Sequence, residues 1–201
     1  MELRGITWEG PEIDDEDILA DLPNALRKLL GSINGFVLFG GALHVRGAAR
    51  APAWHSLREA WRGAQSIHRL YPAIQPDDVP FGQDCVGDQY LLRGEHVIRL
   101  AAETGEVKAL DLPLFPFLER ACAEPDEFLS AAPLLLHLNE GGELPPGMLL
   151  HAHPPFATQQ AAGGVSLRPV PADELLRDHA ILARQIGTLP PGAAFRMRVT
   201  D

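Results

Sequence analysis

His151 and His153 are the residues best placed by type and spacing to hold a metal ion. On an extended segment alternate positions point to one side, so the two imidazoles could share a cation. His137, His179 and Glu143 are the candidate further ligands. The competing reading is a pair of histidines at a loop edge, hydrogen-bonded or solvated, and no metal or cofactor is expected. Asp84, Asp88 and Glu95 could be imagined as an acid/base set. Asp beside Gly at a turn commonly bonds its own backbone instead, so no catalytic residue is assigned.

Two further signatures of chemistry are missing. Gly40-Gly41 and Gly163-Gly164 lack the strand-to-helix context and the lysine of a phosphate-cradling loop, and no nucleophile elbow occurs. Both observations weigh against common enzyme classes. The cysteines, Cys85 and Cys122, are far apart in apolar segments, which argues against a disulfide framework or a cysteine-rich zinc site.

The chain has 201 residues, 46% hydrophobic and 22% charged, which is ordinary globular usage with enough length for a substantial core. Its 17 Lys+Arg against 27 Asp+Glu leave a net charge of -10. That balance repels phosphate backbones, and no basic stripe overrides it, so no nucleic-acid partner is expected. It suits a basic protein partner, and equally serves solubility alone. No run approaches the roughly 18 apolar residues of a membrane span, and the start, MELRGITWEGPEIDDED, lacks the basic-then-apolar order of a secretory signal. The expectation is a cytoplasmic chain with no membrane partner.

The elements that must position these residues are well punctuated. Asp14-Asp15-Glu16-Asp17 reads as a solvated acidic face or a helical first turn, or else a contact for a basic partner. A helix opens at Pro23, buries Leu22, Leu26, Leu29, Leu30 and Ile33, and stops at Asn34-Gly35. Phe36 to Phe39 and Ala42 to Arg46 flank Gly40-Gly41 as a two-residue hairpin. Ser56 caps a second helix with Glu59 as its capping-box partner, and Trp54 and Trp61 read as core or groove lining.

Between Val79 and Leu110 four short extended runs are too closely spaced for helical crossovers, so they form an antiparallel meander. Helices follow over Leu114 to Ala123 and Asp126 to Asn139. After Gly141-Gly142 comes a βαβ-like unit. Its strands are Met148 to His153 and Val165 to Val170, its helix runs from Pro171 through Ile186, and a last strand alternates Phe195, Met197 and Val199 against Arg196 and Arg198.

The order of these features resembles the SUKH superfamily, bacterial toxin-immunity proteins related to fungal cell-wall assembly regulators. The resemblance rests on the proline-started helix ending in Asn34-Gly35, Leu70-Tyr71, Val79-Pro80-Phe81-Gly82-Gln83-Asp84, Gly87-Asp88-Gln89-Tyr90, and Arg93-Gly94-Glu95 before His96-Val97-Ile98. It covers about residues 20 to 139. Gly82 departs from it, standing where the family has a small aliphatic residue, and marks a loosened strand or a bulge.

The resemblance implies an α+β fold, a mainly antiparallel sheet flanked by helices, with residues 1–139 as the SUKH-like domain and 140–201 as a C-terminal extension packed on or beside it. It also implies a non-enzymatic protein that neutralises a cognate toxin, often a basic nuclease, by direct binding. An acidic sheet face carrying Asp84, Asp88 and Glu95 with Tyr90 nearby would serve as the contact. A housekeeping adaptor and a metal protein or enzyme using His151 and His153 are the alternatives. Oligomeric state is not legible.

Overall fold

The computed structural model describes residues 3–129 and 131–190. Seven strands make one sheet whose spatial order is the chain order. They are β1 (Ile6–Glu9), β2 (Phe36–Leu38), β3 (Leu43–Val45), β4 (Val79–Asp84), β5 (Gln89–Arg93), β6 (His96–Leu100) and β7 (Val107–Pro113). Every neighbouring pair is antiparallel. The connections from β2 to β3 and from β4 through β7 are short turns with no room for a crossover, whereas residues 10–35 and 46–78 join β1 to β2 and β3 to β4 through helices.

The pairing divides the sheet into two faces of different character. Val45, Gly82 and Tyr90 lie side by side in register, and Leu92 sits opposite Val97. This first face packs on α2 (Asn24–Ser32) and α5 (Leu114–Ala123) to build the larger core, with Leu26, Leu30, Phe117 and Leu118 almost fully buried. Burying a leucine or phenylalanine of this kind contributes roughly 1.5–3 kcal/mol.

The second face carries His44 opposite Gln83, Gln83 opposite Gln89, and Leu91 opposite Ile98. Its apolar end, with Leu100, meets Ile67 and Tyr71 from α4 (Ile67–Leu70) and its cap, and Leu176, Ala180 and Ala183 of α8 (Ala172–Gly187). Its polar end lies under α3 (Leu57–Arg62) and the tail. Both faces are therefore covered, which an antiparallel sheet of this length does not require.

Local signals explain most boundaries and correct some. Pro23 takes the cap position of α2 rather than its first turn, and Gly35 adopts a positive φ of 78° just beyond the helix. Ser56 caps α3 by accepting from the Glu59 amide. The hairpin after β2 has a four-residue loop, not two, because Leu38 pairs with Leu43. The helix expected over Asp126 to Asn139 is two pieces, α6 (Pro125–Phe128) and α7 (Ala132–Asn139). The register of β4 slips between Val79 and Gly82, which is the bulge that Gly82 suggested.

The acidic start is less solvated than its composition implied. Asp15 is fully buried, capping α1 (Glu16–Asp21) while its carboxylate accepts from Arg58 at 2.6 Å, and the Asp14 carboxylate accepts from the Arg50 amide. Glu16 and Asp17 remain exposed in the first turn.

The tail is a ββα unit over the described residues. β8 (Met148–His153) pairs antiparallel with β9 (Ser166–Pro171), and α8 follows directly. A βαβ unit would need parallel strands around the helix, and the strand expected at Phe195 to Val199 lies outside the described residues. The tail is tied to the sheet by the Leu150 amide donating to the Cys85 carbonyl at 2.7 Å. No helix among the described residues is long and apolar enough to cross a membrane.

Candidate functional site

The four residues expected on one acidic face do not form a surface. Asp84, Asp88 and Tyr90 are buried, and only Glu95, in the β5–β6 turn, is exposed. The Asp88 carboxylate accepts from Arg99 at 2.6 and 2.9 Å and from the Ala102 amide at 2.8 Å. One Asp84 oxygen accepts from the Val86 and Asp88 amides. Burial, then the neighbouring Asp88, pushes the Asp84 carboxyl well above the usual carboxylate range. Asp84 and Asp88 are buried because they fasten the β4–β5 loop to β6 from inside.

His151 and His153 do alternate on β8, but they part company in their surroundings. His153 is exposed, whereas His151 lies against His179 of α8 with ring centres 6.4 Å apart. Burial lowers both His151 and His179, the latter to about 4. His137 is spent on the Glu143 carbonyl, to which its Nε2 donates at 3.1 Å. Among the described residues no three metal-type ligands come together.

A cavity of about 670 Å³ lies between the polar end of the second face and the tail. Its floor is Arg46 and Gln83, and its walls include Trp54, Ile67, Met148 and Leu176. Trp54 is thus a groove-lining residue, while Trp61 is buried and donates its indole N–H to the Pro76 carbonyl.

Arg46 is 2% exposed and has no carboxylate partner among the described residues. Its Nη1 donates to the Pro80 and Gly82 carbonyls, and its Nη2 to Gln83 Oε1 at 2.6 Å and Gln89 Oε1 at 2.8 Å. Neutral oxygens solvate the guanidinium without cancelling its charge. Burial draws its pKa down to about 9, so it stays cationic at neutral pH.

Beside it, His44 Nε2 lies 2.9 Å from His55 Nδ1, and His55 Nε2 lies 2.9 Å from the Asn34 carbonyl oxygen. A carbonyl can only accept, so His55 carries its proton on Nε2 and its Nδ1 accepts from His44. His44 Nδ1 is then a buried acceptor without a hydrogen-bond partner among the described residues. Burial, reinforced by the Arg46 charge, keeps His44 well below its ordinary value and His55 at about 4.

A different kind of feature lies on α7. Leu134 and His137 are its buried side, while Leu135, Leu136 and Leu138 point outward at 42%, 45% and 40% exposure. The Leu134 to Leu138 run is helical, and only its inner side is buried. Arg46, Gln83 and His55 were not singled out at all; the signal was the polar alternation of His44 and Arg46 within an apolar strand.

No family model matches the sequence, and no curated protein matches it. Among solved structures, the chain is similar to the crystal structure of Atu4351 from Agrobacterium tumefaciens, at 15% sequence identity and a TM-score of 0.50, covering 86% of this chain and 83% of that one. At that identity the likeness concerns the fold, which is α+β with an antiparallel sheet flanked by helices.

Proposed function

We infer that the chain is a non-enzymatic protein-binding domain of the SUKH type, an immunity protein that neutralises a cognate toxin in the cytoplasm by direct contact. The observation that carries the binding role is α7. A helix that is apolar all round belongs in an interior, yet this one presents three leucines to water among the described residues. An apolar centre with a polar margin is the anatomy of a protein interface.

The margin selects the partner's charge. Exposed Glu124, Asp126 and Glu127 precede the helix and Glu140 and Glu143 follow it, on a chain of net charge -10. A basic protein, such as a nuclease toxin, complements that rim and is steered toward it. The family resemblance supplies the immunity role. The buried Asp84 and Asp88 serve this function indirectly, by holding the sheet, rather than as contacts.

The test is protection. Co-expression with toxins encoded beside the gene should rescue growth and give a stable complex, and Leu135→Asp/Leu136→Asp should abolish both while leaving the melting temperature within a few degrees. Rescue by the double variant would displace the contact from α7. If none of the neighbouring toxins is neutralised or bound, the immunity role is wrong.

A further inference from the structure

We propose that the cavity between the second sheet face and the tail is a binding site for a carboxylate with an apolar body, held at its acid end by Arg46 and Gln83. The site is independent of the α7 contact and lies on a different part of the molecule.

Charge is the first argument. A guanidinium with 2% exposure and no acidic partner among the described residues is a fixed positive charge inside the fold. Buried charges are ordinarily paired, so an unpaired one leaves room for an anion from outside the chain. The exposed Glu59 and Asp173 stand at the cavity mouth rather than on its floor, and Asp173 is already paired with Arg177 at 3.0 Å.

Open donors are the second. The four Nη hydrogens of Arg46 are taken by oxygens, but no acceptor among the described residues meets its Nε–H. Gln83 is 2% exposed, and its Oε1 is committed to Arg46 and Gln89. That commitment fixes the amide orientation and leaves the Nε2 hydrogens without an acceptor, on a side chain that lines the cavity. A carboxylate meets both needs: one oxygen accepts from Arg46 Nε–H, the other from Gln83 Nε2–H, and its charge compensates the guanidinium.

Shape and lining give the rest of the ligand. About 670 Å³ is within the range of small-molecule sites. Trp54, Ile67, Met148 and Leu176 offer a wall of rings and alkyl groups with no further cation. A free phosphate or a sugar acid would leave that wall wet. An aliphatic or arylalkyl monocarboxylate fills it, whether as a free small acid or as the apolar C-terminal end of a peptide.

Calorimetric titration of the intact protein with octanoate and indole-3-butyrate tests the site, with 1-octanol and octylamine as neutral and cationic counterparts. A hexapeptide ending in a free apolar C-terminus, against its C-terminal amide, separates a chain end from a small acid. At least one carboxylate should bind tenfold or more tightly than its neutral counterpart and raise the melting temperature. Arg46→Met should remove that preference; because Arg46 also braces the sheet, Gln83→Leu and the cavity-filling Ala60→Phe should each weaken binding at least tenfold in folded protein. Equal binding of acid and alcohol, or unchanged binding to Ala60→Phe, overturns the proposal.

Discussion

His55 donates its Nε2 proton to the Asn34 carbonyl at 2.9 Å and thereby leaves its Nδ1 as the acceptor for His44. One backbone oxygen thus sets the tautomer of two buried rings. The ring of His55 is wrapped so closely that a Cβ at Gly10, Gly35 or Gly47 would collide with it.

Acid should destabilise the fold already above the ordinary carboxylate range, through its buried histidines. His55 has a folded value near 4 against 6.5 unfolded, so between those limits the unfolded chain takes up the proton and the folded one does not. Stability is full above about pH 6.5 and falls as pH drops toward 4, by about 3 kcal/mol for this group. His179, also near 4, acts in the same direction. Urea midpoints measured from pH 7.5 to 4.5 should fall steadily. His55→Gln should lower the midpoint at pH 7.5 and flatten the slope. A flat profile for the native chain would contradict neutral buried rings.

Two glycines should respond oppositely to the same methyl group. At Gly47 the added Cβ meets the Asn34 carbonyl and His55 Nε2, neither of which can move without breaking the tautomer chain. Gly47→Ala should cost about 3 kcal/mol as overpacking. Gly31 sits in α2 with nothing within 4 Å, so Gly31→Ala should stabilise by about 0.5–1 kcal/mol. Thermal melts of the two variants decide both.

The buried aspartates should separate in their tolerance of an amide. Asp88→Asn breaks a charge-assisted pair with Arg99 and should cost about 2–3 kcal/mol. Asp84 has one oxygen bonded to amides and the other without a hydrogen bond, 3.8 Å from Arg99 Nη2, in a site whose burial already disfavours its charge, so Asp84→Asn should stay within about 1 kcal/mol. Glu95→Ala, in an exposed turn, should change stability by less than about 0.5 kcal/mol. Denaturant titration of the three variants at pH 7.5 tests the ranking.

Elements defined by neighbours in the chain were legible in the sequence. Leu114–Ala123 is a helix with the expected ends, and the meander strands and Met148–His153 lie where periodicity and turn residues put them. β1 was not foreseen, because Ile6–Glu9 is only four residues and gains its strand character from pairing with β2. Hidden for the same reason were the pairings of Asp15 with Arg58 and Asp88 with Arg99, which depend on contacts across the fold. A carboxylate beside a glycine looks the same in sequence whether it faces water or an arginine. Arg46 was equally obscure: its role follows from Gln83 and Gln89 on two other strands.

The agreement between spatial and chain order in the sheet bears on how the protein is made. A strand that pairs only with its predecessor can add to the sheet as soon as it leaves the ribosome, so β1 to β7 can assemble while the tail is still being synthesised. During that interval the second face lacks the cover that Leu176, Ala180 and Ala183 later give it. Arrival of β8, β9 and α8 then adds the smaller apolar cluster and encloses the cavity floored by Arg46 and Gln83.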